Sequence, residues 1–268
     1  MANLSMRVAM RSLLALLLLP RCLSVRAPSA SAASAASAAA LLRRATELPN
    51  TYVTDAADIS ELRRLADAAA AEAELPAWPE AANLLCQKWR LLATTQTAGS
   101  ELLQTMQKQP ALGTFRVQQN WQQCDGQLRC DNVVTIGRPN DGLLSAWTLL
   151  PAGGQSSLTL QHKVTVVDDG ASGQPLQFSL DLDAVTLDGN RRAGDPVETI
   201  ITMPLPPQLL PGLPPPPELP VPALRDAIRE AGSVNIVYLD DRLRIARSPS
   251  DVLRVFVRDD DCEALPTW

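Results

Sequence analysis

Hydrophobic and polar residues alternate at every second position over two long stretches in the middle of the chain. From Ser157 to Val167, Leu158, Leu160, His162, Val164 and Val166 fall on one side and Thr159, Gln161, Lys163 and Thr165 on the other. After the Asp168–Gly173 turn cluster, Leu176, Phe178, Leu180 and Leu182 alternate with Gln177, Ser179, Asp181 and Asp183. A period of two is that of a strand with one buried face. Phe115, Val117 and Trp121 share a face in the same way, Asp125-Gly126 is a two-residue hairpin turn, and residues 132–136 form the return strand. Val234–Arg247 reads as two strands joined by a tight acidic turn at Asp240-Asp241, and Val252–Arg258 as a third. Many short strands with turns between them predict an antiparallel sheet that must cover its edges or close into a barrel.

Before Pro79 the period is helical. Ile59, Leu62 and Leu65/Ala66 recur every three to four residues behind N-cap candidates Thr54, Asp55 and Asp58, and the Ala68–Ala71 run extends the helix until Pro76 and Pro79. Ala40–Ala45 adds a turn or two ahead of it. After Pro79 the period is expected to change to two. Residues 204–222 hold ten of the 22 prolines, so this stretch is expected to form an extended loop crossing one end of the barrel. A short helix is expected at Leu224–Ala231 before the chain re-enters the sheet.

The first 46 residues contain no Asp or Glu, six Arg and an Ala/Ser-rich run. That composition marks an organellar transit peptide, while the apolar core within residues 6–23 is that of a secretory signal. The two together suit a bipartite presequence as well as a simple one. The expected layout is a presequence over 1–40, cleaved around residues 37–46 and dispensable for folding, a helical segment over 41–80, and a β domain over 81–260.

Charge and composition narrow the chemistry. A net charge of −5 supplies no basic surface for nucleic acid. One histidine, His162, rules out a multi-His metal site and confines any His-dependent nucleophile to that position. The five cysteines, Cys22, Cys86, Cys124, Cys130 and Cys262, contain no Cys-x-x-Cys; Cys22 lies in the targeting segment, and Cys124 and Cys130 are expected as buried free thiols. In the 125–126 hairpin register, Cys124 and Cys130 point to opposite sheet faces.

Two segments carry a resemblance. Tyr238-Leu-Asp-Asp-Arg-Leu-Arg-Ile-Ala-Arg247 followed by Val255-Phe256-Val257 closely resembles the C-terminal signature of the plastid lipid-associated protein/fibrillin family, and Trp89-Arg-Leu-Leu92 resembles that family's opening strand. The chain departs from the family pattern at Gln87, at Ala93 and at Ser248–Asp251. The resemblance implies a lipocalin-like antiparallel β-barrel preceded by N-terminal helices, a chain that is not an enzyme, and no cofactor or metal. It implies a lipid or isoprenoid ligand and a structural or carrier role at a plastid membrane or lipid-droplet surface (plastoglobule, thylakoid or stroma), with protein partners also open.

The expected cavity face is Leu158, Leu160, His162, Val164, Phe178 and Leu180. The structural motif is Trp89, Arg90, Tyr238, Asp240, Arg242, Arg244, Arg247 and Phe256. In a lipocalin-like barrel Trp89 closes the floor under an Arg from a late strand; the alternative places Trp89 in the cavity. The acid-plus-Arg cluster at 240–247 reads as turn chemistry and ion pairing against an acid/base alternative. Two other classes stay open: a lipocalin-type enzyme acting on a lipid or carotenoid, for which Asp181, Asp183 and His162 are the candidates, and a module that binds proteins and no ligand. Because the protein is acidic, membrane contact is expected from Leu209, Leu210 and Leu213 rather than from a basic patch.

Overall fold

The structure is a computed structural model that describes residues 32–71, 73–96, 101–109, 114–137, 155–171, 174–189, 198–204 and 232–259. The Pro-rich loop, the helix expected at 224–231, the signal-like core, Leu209, Leu210, Leu213, Cys22 and Cys262 lie outside these residues.

The described residues form nine antiparallel strands: β1 (Lys88–Thr94), β2 (Thr114–Cys124), β3 (Gln127–Gly137), β4 (Gln155–Asp168), β5 (Leu176–Gly189), β6 (Glu198–Pro204), β7 (Ser233–Leu239), β8 (Leu243–Arg247) and β9 (Leu253–Arg258). Their order is β4-β3-β2-β1-β9-β8-β7-β5-β6, and β4 also pairs with β5, so eight strands close a ring and β6 extends β5 beyond it. The barrel expected from the alternation is therefore present, with helices before it. Closure is uneven along its height. β5 meets β7 only over Leu176–Ser179 and meets β6 over Ala184–Gly189. β1 meets β2 only over Lys88–Arg90.

The β2–β3 hairpin has the expected register, with Trp121 opposite Cys130 and Cys124 opposite Gln127. Asp125 and Gly126 both adopt the positive φ that a two-residue turn of this kind requires (52° and 78°). β5 breaks its own alternation. Leu182 pairs with His162 while Ala184 pairs with Gln161, so Asp183 is an extra residue and beyond it Val185 and Leu187 take over the inward face.

Two cores result. One fills the barrel with Trp89, Trp121, Cys130, Phe178, Ile236 and Phe256. The other lies outside it, where α1 (Ala32–Glu47) and α2 (Ala56–Ala70) press Leu41, Leu62 and Leu65 onto Tyr238, Ile245 and Val255. β8 and β9 are thus covered on both faces, which is why most of their residues are buried. Asp55 is the N-cap of α2, its carboxylate accepting from the amides of Ala57 and Asp58; Asp58 itself sits inside the first turn.

Three helical features differ from the sequence expectation. α1 is already helical at Ala32, the first described residue, so residue 40 falls inside it. Ala is the strongest helix former, and small residues let α1 approach α2 closely enough for Ser34 Oγ to donate to the Ala69 carbonyl at 2.7 Å. Just past Pro79 the chain forms α3 (Ala81–Leu85) rather than a strand, with Ala81 and Leu85 buried under the barrel. α4 (Glu101–Lys108) is an unforeseen helix, tied to the main chain of Tyr52 by a reciprocal pair of hydrogen bonds: the Tyr52 N–H donates to Gln107 Oε1, and Gln107 Nε2 donates to the Tyr52 carbonyl.

Candidate functional site

The barrel interior divides into three levels. The lowest is a packed aromatic floor. Trp89 is fully buried and donates its indole N–H to the Leu85 carbonyl at 2.9 Å, so α3 plugs the end beneath it. Phe178 meets Trp121 edge-on at 5.3 Å and Trp78 at 5.9 Å between ring centroids. Val164 and Leu180 pack in the same cluster. These three of the six expected cavity residues fill the floor.

The middle level is a belt of polar side chains reaching inward from four strands. Arg244 of β8 is fully buried, and its guanidinium carbon lies 4.1 Å from the Phe256 ring centroid, 5.2 Å from Trp89 and 5.5 Å from Trp121. It is the late-strand Arg over Trp89. Its Nη2 donates to Gln119 Oε1, while Nε and Nη1 have no hydrogen-bond partner. Gln119 Nε2 donates in turn to Asn132 Oδ1 at 2.6 Å, and Asn132 Nδ2 lies 3.5 Å from His162 Nδ1. His162 Nδ1 is 3.1 Å from the Cys130 carbonyl, which only accepts, so Nδ1 is the protonated nitrogen.

Burial governs the electrostatics of this belt. It pushes the His162 pKa down, partly opposed by the hydrogen bond to Cys130 O, and pushes the Arg244 pKa down to about 9, which leaves the guanidinium charged at neutral pH. Burial also raises the Cys130 thiol, against the opposing pull of Arg244. The belt thus offers donors and one neutral imidazole, with no thiolate to act as a nucleophile.

The upper level is apolar, and its side chains are not fully buried. β4 pairs with β3 in unbroken register, so Leu158 and Leu160 share the inward face of His162. Leu160 is half-buried and Leu158 is 38% exposed. On one side the wall is split. Where β1 and β2 part, a cleft of about 430 Å³ opens beneath the segment that follows α1, with Arg90, Leu91, Thr114, Arg116 and Val117 on its walls. This volume is in the range of small-ligand sites.

The 238–247 motif is structural hardware. Tyr238 donates to Asp240 at 2.8 Å, and the other Asp240 oxygen accepts from the amides of Arg242 and Leu243, closing the turn. Arg247 ties β8 to Asp67 of α2 and to Asp251, the latter at 2.6 Å. Asp183 is held by Lys163 at 2.7 Å and Asp181 is exposed, so neither joins His162 in the interior. Cys130 is a buried free thiol as expected, while Cys124 is free but exposed, a correction to the expectation that it is buried; Cys86 is half-buried. Sequence reading missed Gln119, Asn132 and Arg116. The signal for Gln119 was present: it breaks the apolar face between Val117 and Trp121.

Among the described residues no helix is long and apolar enough to cross a membrane, and no group of three His, Cys, Asp or Glu side chains converges as a metal site. The family model PAP_fibrillin matches residues 51–257. Neither a curated protein nor a solved structure matches the chain.

Proposed function

The chain belongs to the PAP_fibrillin family, the plastid lipid-associated proteins, and on that premise we propose that it binds one small apolar lipid or isoprenoid within the barrel. Its role is structural or that of a carrier at plastid membranes and lipid droplets. The observation that supports this reading is the unfinished upper interior. Leu158, Leu160, Val185 and Leu187 face inward above the belt, none is fully buried, and no side chain of the described core covers them. Leaving such a surface to water costs about 25 cal/mol per Å² of apolar area, which an apolar ligand recovers on binding. Phe178, Leu180 and Val164 support the site from below, and His162 stands at the boundary between floor and mouth.

The test is mass spectrometry of lipids extracted from the protein isolated from its native source, combined with titration of a fluorescent long-chain lipid. A co-purified apolar lipid and saturable binding that falls on Leu158→Asp and Leu160→Asp are expected. Protein free of lipid that binds no chain-bearing probe would overturn the reading.

A further inference from the structure

We infer that the cleft between β1 and β2 is where the ligand enters, and that Arg90, Arg116 and Thr114 hold the anionic head of a single-chain lipid there. The inference rests on the lipid-binding reading and adds the head-group chemistry and the point of entry. It starts from the strand pairing. Past Arg90, β1 continues along β9 through Leu91–Thr94, while residues 114–117 of β2 continue along β3. The two strands diverge, and among the described residues only the short bridge from Tyr52 to Thr94 follows β1 along its freed edge.

The walls of the cleft come from both faces of the sheet. Leu91 and Val117 alternate in phase with Trp89 and Trp121, which lie inside the barrel; Arg90, Thr114 and Arg116 alternate with the outer face. Residues of both faces therefore line one cleft. The next inward residue of β2 below Val117 is Gln119, the first member of the polar belt.

Charge identifies the head. Arg44, Arg63, Arg64 and Arg247 each sit on a carboxylate. Among the described residues Arg90 and Arg116 have none, and no Asp or Glu of those residues lines the cleft. Arg90 Nε and Thr114 Oγ1, both of cleft-lining residues, are buried with no hydrogen-bond partner among the described residues. In a protein with net charge −5, two unpaired guanidinium groups beside an unsatisfied hydroxyl form a local anion site. Guanidinium and hydroxyl donors match the oxygens of a carboxylate or phosphate, and the Leu91–Val117 passage matches one hydrocarbon chain. Both needs are met by an amphiphile with an anionic head.

The experiment compares oleate, oleyl alcohol and inorganic phosphate on the whole protein by calorimetry. Oleate is expected to bind about tenfold more tightly than oleyl alcohol, as one charge-assisted head contact would give. Arg90→Gln/Arg116→Gln should erase that preference. Phosphate at the same concentration should not displace oleate. Arg116→Gln and Thr114→Val alone, checked for an unchanged melting midpoint, should each weaken oleate about threefold and guard against a double variant that fails to fold. Equal binding of oleate and oleyl alcohol, or a preference that survives the double variant, overturns the head site while lipid binding stands. Tight phosphate binding that excludes oleate also overturns it, since the cleft would then serve a free anion. Loss of both lipids from the wild type defeats the lipid-binding reading itself.

Discussion

The guanidinium of Arg244 lies 5.2 Å from the centroid of the Trp89 ring, and both side chains are fully buried at the closed end of the barrel. Trp89 links β1 to α3 through its indole N–H and to β8 through this cation. Trp89→Ala is expected to destabilise the protein by about 3–5 kcal/mol, the range for large aromatic truncations in a core. Arg244→Met should cost clearly less, because loss of the ring contacts is offset by removing a desolvated charge. Urea unfolding of the two variants checks the order. A Trp89→Ala variant with the wild-type midpoint and weakened lipid binding would move the residue from floor to pocket.

His162 makes stability depend on acid. Burial lowers its pKa below the ordinary 6.5, so the folded state favours the neutral ring. The contribution is fully present above about pH 6.5 and is lost as pH falls through the folded pKa. Asp131, raised by burial above 3.8, works in the opposite sense, its contribution present at low pH and lost as pH rises through its folded pKa. The melting midpoint is therefore expected to fall on acidification from pH 7 through the His162 titration. His162→Gln should flatten that fall, and Asp131→Asn should steepen it. A His162→Gln profile parallel to the wild type would show that the ring is solvated.

What the sequence disclosed follows from which surfaces are covered. β4 and the first half of β5 have one buried face, so their alternation and the Asp125-Gly126 hairpin were legible. β8 and β9 are buried on both faces, and alternation there cannot say that Arg244 points inward while Leu243 and Ile245 face the helices. The Asp183 bulge that exchanges the faces of β5 has no sequence mark, since a polar residue at that spot suits an outward position equally well. In the sequence Arg90 stands out only as part of the opening-strand motif, and Arg116 is not singled out. Their convergence depends on where β1 and β2 separate, which is a property of the closed ring.

The described cysteines should differ in reactivity. Cys124 is exposed beside the Asp125-Gly126 turn, Cys86 is half-buried, and Cys130 is buried with its thiol pKa raised by desolvation. The thiolate is the reactive form, so burial and a raised pKa suppress reaction together. Brief maleimide labelling of the native protein, followed by peptide mass mapping, should modify Cys124 first, Cys86 slowly and Cys130 only on unfolding. Labelling of Cys130 at the Cys124 rate would mean that the floor opens readily.

The boundary between presequence and domain can be placed by truncation. A presequence ending at residue 40 would leave α1 with only its last seven residues, too few to hold a helix without tertiary support. It would also remove buried Ala38 and Ser34, and with Ser34 the hydrogen bond to the Ala69 carbonyl. One such bond is worth about 1 kcal/mol, and the lost α1–α2 contact adds to it. A chain starting at Ala32 should therefore unfold at the full-length midpoint, and one starting at Leu41 should be less stable by about 1–3 kcal/mol. Leu41 stays in both, so the difference isolates the first turns of α1. Equal midpoints for the two truncations would return residues 32–40 to the presequence, and N-terminal sequencing of the protein from its native source would then be expected to begin after residue 40.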